Sequence, residues 1–180
     1  MDRQTLIDRV EAGEAFKYIF FWGHKAPATG VDSSCFSQWF PIGFDIEDVH
    51  YKTAEHYMMA GKARLFGDDE RLAAILASDT PGKARALGRQ VRGFVDERWK
   101  EARAEIVIGG NVAKFGQDDA LRAYLLASTG RILVEASPLD RIWGIGLAAD
   151  DHRATDPRQW DGLNLLGFSL MVARERLSNV

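Results

Sequence analysis

Cysteine is nearly missing from this chain of 180 residues: Cys35 is the only one. An intramolecular disulfide is therefore excluded, and so is a cysteine cluster of the kind that holds zinc. The four histidines, at positions 24, 50, 56 and 152, include no helical i, i+4 pair, so no metal site and no cofactor is expected. There is also no apolar run long enough to cross a bilayer. The opening stretch "MDRQTLIDRVEAGEAFKYIFFW" scatters charges where a signal peptide would keep a long apolar core. The expectation is a soluble cytoplasmic protein with no membrane partner. Excess positive charge is lacking too, with a net charge of -3 and a pI of about 5.8. Without a global basic field the chain does not suit a general nucleic-acid coat protein, although a pocket for one nucleotide stays open. Repeats, low-complexity tracts and linkers are absent. One domain over 1–180 is expected, its first 15 or so residues a helical extension.

What is present is an ordinary globular apolar fraction of 46%. A chain of this size buries roughly 70% of its unfolded surface, enough for a core without staples. Five tryptophans stand out, at 22, 39, 99, 143 and 160, and all but Trp99 lie near Gly, Pro or turn residues. Aromatics placed in that way line pockets as well as cores. Hydrophobic spacing predicts a short N-terminal helix, a strand at "YIFFW", a loop over 23–34 and a small sheet within 35–51. Helices then follow from Thr53 to about Phe66, over 69–77, and from Thr80-Pro81 to about Gly88, where proline suits the first turn. A longer helix over 96–115 is weakened by Gly109-Gly110. Another covers 118–127, "RILVEAS" reads as a strand, and a long loop over 138–164 precedes a last helix with Asn164 as N-cap. The fold class is mainly α (α+β), a compact helical domain with a few short strands.

"YKTAEHYMMAGKA", residues 51–63, reads as a helix apolar almost all the way round that nevertheless carries Glu55 and Lys62. Seven residues of α-helix make nearly two turns, so both side chains leave one face, about 10.5 Å apart along the axis. They are too far apart for the local pairing of i, i+4 charges. Each must find its own partner, or both must face one cleft, where a carboxyl and an amine of shifted pKa suit acid–base or Schiff-base chemistry. The plainer alternative is that Lys62 snorkels to solvent while Glu55 caps a neighbouring backbone. His56 lies off that face and reads as structural or surface.

Other stretches divide in the same way. "GIGLAA" matches half of a dinucleotide fingerprint but leads into no helix, and "GLNLLG" lacks the Lys and Ser/Thr of a P-loop. In "SPLDRIWGIG", Asp140 is either a turn-former beside a packed Trp143 or a carboxylate presented next to an aromatic wall. In the second case Gly144 and Gly146 would let a ligand approach backbone amides. The first amides of the last helix, at Asn164, are either simply capped or a phosphate cradle. Cys35 reads as a free thiol. Two carboxylates, a lysine and tryptophans suit glycosidic-bond cleavage on a nucleotide-like substrate, though spacing alone does not reach that conclusion.

Taken in order, "YIFFW", "CFSQWFP", "YKTAEHYMMAGKARLFGD", "PGKARALGRQV", "RWKEARAEIVIGGNVAKFGQ", "LLASTGRILVEASPLDRIWGIG" and "WDGLNLLGFSLMVARERL" resemble the NADAR superfamily, which includes the YbiA-like N-glycosidases. The combination of A-E-H-Y-x-x-x-x-K-A, E-x-S-x-x-D-x-x-W-G-x-G and N-x-L-G-x-x-L-M is specific where each motif alone is weak. The resemblance implies a mainly helical domain that hydrolyses an N-glycosidic bond between ribose and a heterocycle's amine, without a metal. The implied substrate is a small ribosylated heterocycle such as the phosphoribosylamino-pyrimidine intermediates of riboflavin synthesis. The alternatives are ADP-ribose on guanine in nucleic acid, or a non-catalytic module that binds ADP-ribose or NAD. It also implies catalytic roles for Glu55, Lys62 and Asp140, and substrate contacts from Trp22, Trp99, Trp143, Gly144 and Asn164. One departure stands out: Ser37-Gln38-Trp39 replaces the usual S-N-F.

Overall fold

The computed structural model describes residues 1–179, and among them helices dominate. Helix α1 spans Arg3–Glu11 and strand β1 Lys17–Phe21. A 3-10 turn, Ser33–Phe36, leads to strands β2, Phe44–Ile46, and β3, Val49–Tyr51. Helices α2 (Ala54–Leu65), α3 (Asp69–Ala77), α4 (Pro81–Gly88), α5 (Asp96–Gly116) and α6 (Asp119–Ala127) follow. Strand β4 is Arg131–Glu135, a second 3-10 turn is Pro157–Gln159, and α7 is Leu165–Ser178. The mainly helical architecture with minor β structure is as the sequence predicts.

Short polar side chains set the helix starts. Asp2, Thr53, Asp68, Thr80 and Asp118 each accept a bond from an amide in the first turn of the helix that follows. The helix expected within 51–63 thus begins at Ala54. Tyr51 instead closes the β2–β3 hairpin, whose turn residues Glu47 and Asp48 are both left-handed, at φ 49° and 62°. Helix α5 runs through Gly109-Gly110 without a break because the glycines let α2 approach. A Cβ on Gly110 would lie 2.5 Å from Tyr57 Cδ1.

The sequence did not predict how the remaining strands pair. β1 and β4 form a parallel two-stranded ladder, with Lys17 opposite Arg131 and Phe21 opposite Glu135. Strand alternation splits the core around this ladder. Ile132 and Val134 join Leu6, Trp160 and Phe168 on one side. Phe21 and Leu133 face the larger helical core of α2, α5 and α7 on the other. Trp160 belongs wholly to the core, its indole N–H donating to Ala154 O at 2.8 Å, and so orders the long loop after β4. Among the described residues no helix is long and apolar enough to cross a membrane.

Candidate active site

A cavity of about 510 Å³ opens where the C-terminal ends of β1 and β4 meet α2, α4 and the start of α5. This volume falls within the usual range for small-molecule sites. Helix α2 contributes Glu55, Met58, Met59 and Lys62 to one wall, so the two charges do share a cleft. Trp22 and the segment Ser37, Gln38 and Trp39 form a second wall. Arg85 comes from α4, and Arg89, one turn on, caps the end of that helix. The end of β4 and the loop after it supply Glu135, Ser137, Leu139, Asp140 and Trp143, and Trp99 closes the remaining side.

Glu55 is 4% exposed and caps no helix. Its Oε1 is buried without a hydrogen-bond partner among the described residues, as is Oε2 of Glu135. Burial pushes the Glu55 carboxyl up to about 7. The Asp140 charge adds to that push, while Arg85, the Trp39 side chain and Arg89 oppose it. Burial likewise pushes Glu135 up to about 8, reinforced by the charges of Asp140 and Glu55 and opposed by Arg85. Lys62 does not snorkel free. Its ammonium sits 4.3 Å from the Phe94 ring centre and 5.6 Å from that of Trp99. Burial, with Arg89 nearby, lowers its pKa from the ordinary lysine value. Asp140 is held in its turn by two bonds to one oxygen: Oδ1 accepts from the amides of Ile142 and Trp143, each at 2.8 Å. No three His, Cys, Asp or Glu side chains gather to hold a metal among the described residues.

Two of the residues expected to contact substrate lie elsewhere. Asn164 is 0% exposed and does not line the cavity. It takes up a left-handed backbone at φ 55° and caps no amide of α7 with its side chain. The side chain reaches across to β4 instead, accepting from Glu135 N at 3.0 Å and donating to Leu133 O at 2.9 Å. The amides of Leu165 and Leu166 bond the carbonyls of Ile142 and Trp143, so the start of α7 is no phosphate cradle. Gly144 also lies outside the cavity wall. A Cβ there would come within 2.8 Å of Glu135 O, so this glycine serves close packing rather than ligand approach. His56 is buried and structural, bonding Thr53 Oγ1 at 2.8 Å and Ser78 O at 3.2 Å. Cys35 is a free, buried thiol whose pKa burial pushes up to about 12, far from a nucleophile's.

Residues 20–178 match the NADAR domain. The chain belongs to the NADAR family. This NADAR protein is similar to an N-glycosidase of Acanthamoeba polyphaga mimivirus, at 42% identity over 167 residues, covering 90% of this chain and 97% of that one. It is 32% identical over 147 residues to the N-glycosidase YbiA of Escherichia coli K12, covering 82% and 81%. The NMR structure of E. coli YbiA matches with a TM-score of 0.68 at 27% identity, over 91% of this chain and 86% of that one.

Of the residues expected at the site of this NADAR protein, Glu55, Lys62, Asp140, Trp22, Trp99 and Trp143 come together in the cavity. Sequence reasoning missed Glu135, Arg85, Arg89 and a support behind the Ser37–Trp39 wall. That support is Lys114, 1% exposed, whose ammonium donates to Cys35 O at 2.6 Å and Ser37 O at 2.9 Å. Burial pulls its pKa down to about 7. The departure at Gln38 has a physical reason in the same place: its Oε1 accepts from Asn111 Nδ2 at 3.0 Å, and its carbonyl accepts from Glu55 N at 2.9 Å. The wall is thereby tied to both α5 and α2. A signal for Glu135 was present in "RILVE", where a carboxylate directly follows the apolar run Ile132–Val134.

Proposed function

We propose that this NADAR protein is an N-glycosidase that hydrolyses the bond between ribose C1′ and an amine nitrogen of a heterocycle, with phosphoribosylamino-pyrimidine intermediates of riboflavin synthesis as substrates. The observation that carries this reading is a single cavity holding buried carboxyls with unpartnered oxygens beside a lysine of lowered pKa. An oxocarbenium-like transition state asks for such a set: a carboxyl that carries a proton, a carboxylate that faces positive charge, and a nucleophile or its activator. The names of the relatives, N-glycosidases, support the glycosidase part of this reading. Glu55 is assigned general acid–base work. Lys62 pairs with ribose C1′ or attacks it, through a Schiff base with the opened sugar. Asp140 orients a ribose hydroxyl, and Trp99, Trp143 and Trp22 wall the rings. The anionic end of the substrate lies toward Arg85 and Arg89, whose guanidinium groups suit a phosphate.

A second reading, removal of ADP-ribose from guanine in nucleic acid, is favoured by the mouth of the cavity. Trp22 is 60% exposed there and Leu139 88%, an apolar lip on which a second base would stack. A binding module for ADP-ribose or NAD without turnover would need no buried carboxyls. Mass spectrometry of the products decides among the three. The protein is offered ADP-ribosylated-guanine DNA and the phosphoribosylamino-pyrimidine side by side. Ribose 5-phosphate released only from the pyrimidine supports the first reading, and ADP-ribose released only from the DNA supports the second. Binding of ADP-ribose with neither substrate cleaved overturns the enzymatic assignment.

A further inference from the structure

The roles above leave one buried carboxyl without a task. Glu135 ends the β4 ladder opposite Phe21, and strand alternation sends its side chain to the same side as Leu133, toward α2. Its backbone is gripped from three directions. The amide donates to Asn164 Oδ1, the carbonyl accepts from Ile145 N at 2.9 Å, and the next amide, Ala136 N, bonds Phe21 O at 2.9 Å. Two glycines make room for that grip. A Cβ on Gly144 would lie 2.8 Å from Glu135 O, and one on Gly167 would lie 2.0 Å from Leu133 O. The two motifs E-x-S-x-x-D-x-x-W-G and N-x-L-G therefore converge on a single strand end. Yet Oε2 of the side chain so carefully placed bonds nothing among the described residues and is shut away from solvent in the cavity wall. A structural glutamate would be paired. This one is held in position and left free.

We infer that Glu135 is a catalytic residue of this cavity, the acid that protonates the departing nitrogen; the inference rests on the N-glycosidase reading above. An amine leaves poorly as an anion, so its departure needs a proton delivered in the transition state. The C1′–N bond breaks with its electron pair remaining on nitrogen, and the proton of Glu135 passes to that nitrogen, giving a neutral amine. Water adds to C1′ and its proton passes to the Glu55 carboxylate. A proton returned from solvent to Glu135, and one lost from Glu55, restore the resting state. The groups facing Glu135 are Glu55 from α2, Asp140 from its own loop and Arg85 from α4, with Lys62 and Arg89 lining the same cavity. Burial first, and the Asp140 and Glu55 charges after it, raise the Glu135 carboxyl to about 8, so that it carries a proton to give near neutral pH.

The test is Glu135→Gln, which keeps size and shape, assayed on a ribosylated amino-heterocycle and on 4-nitrophenyl riboside, whose leaving group departs without a proton. On the amine substrate kcat falls about 10²- to 10⁴-fold with KM nearly unchanged, and the alkaline limb of the pH–rate profile near pH 8 disappears. On the aryl riboside the variant stays within a few-fold of the wild-type protein. Equal losses on both substrates, or an alkaline limb that survives in the variant, overturn the assignment while leaving the N-glycosidase reading intact. A wild-type protein that cleaves no riboside of either kind overturns both.

Discussion

Replacing Asn164 by alanine separates two accounts of the same residue. If Asn164 touched substrate, its loss would raise KM and spare the fold. The structure makes the opposite demand. Both of its side-chain bonds, to Glu135 N and Leu133 O, are internal, and the residue is fully buried. Truncation leaves a buried donor and a buried acceptor without partners, at about 1–3 kcal/mol each. It also places a residue less tolerant of the left-handed region at φ 55°, which adds about 1 kcal/mol. The sum is about 3–7 kcal/mol, or a Tm lower by roughly 10 °C or more for a chain of this size. Urea denaturation with both variants fitted for m, together with a thermal melt, measures it. The remaining folded enzyme should lose kcat more than KM, because the strand end it releases carries Glu135. A variant within about 0.5 kcal/mol of wild type, as for an ordinary surface change, with KM raised instead, would refute the reasoning.

Other substitutions test other parts of the account. Gly110→Ala sets a gain in helix propensity of about 1 kcal/mol against a Cβ placed 2.5 Å from the Tyr57 ring, an overpacking cost of about 1–3 kcal/mol. Net destabilisation by urea titration is expected, with Gly109→Ala, whose nearest contact is 3.4 Å, tolerated. Glu55→Gln tests burial through pH. A carboxyl raised from 4.5 to about 7 in the fold stabilises fully below its unfolded value, and that contribution is lost as pH rises through about 7. The variant should therefore gain on the wild type by up to about 3 kcal/mol between pH 5 and pH 8; parallel denaturation curves across that range would contradict it. Lys62→Ala should abolish nearly all turnover with an unchanged circular dichroism spectrum, and wild-type rates would remove the lysine from the mechanism.

Helix boundaries were legible because their signals are local. Asp68, Thr80-Pro81 and Asp118 start α3, α4 and α6 where the sequence placed them. The shared face of Glu55 and Lys62 was legible for the same reason, since helical geometry alone fixes it. The parallel pairing of β1 with β4 was not, because nothing within "YIFFW" or "RILVE" names a partner so distant. Glu135 was hidden by that gap: at the end of an isolated strand a glutamate reads as solvent-facing, and only the assembled cavity, shared with Glu55 and Arg85, encloses it. Asn164 misled by position. An asparagine before a helix ordinarily caps it, but the left-handed backbone here turns the amide toward β4.

The β1–β4 ladder also orders events in time. Its partners lie more than a hundred residues apart, and the clasp that holds its end comes from Asn164, later still in the chain. Helices α2 to α6 are built from neighbouring segments and are free to collapse early, whereas a non-local parallel pairing must wait for a large loop to close. On a ribosome the helical half of the cleft would emerge with Glu55 and Lys62 already on it but with no floor. The cleft is therefore complete only after Asn164 and helix α7 have been made. In refolding, the fluorescence of Trp143 should settle after the helical signal has already returned.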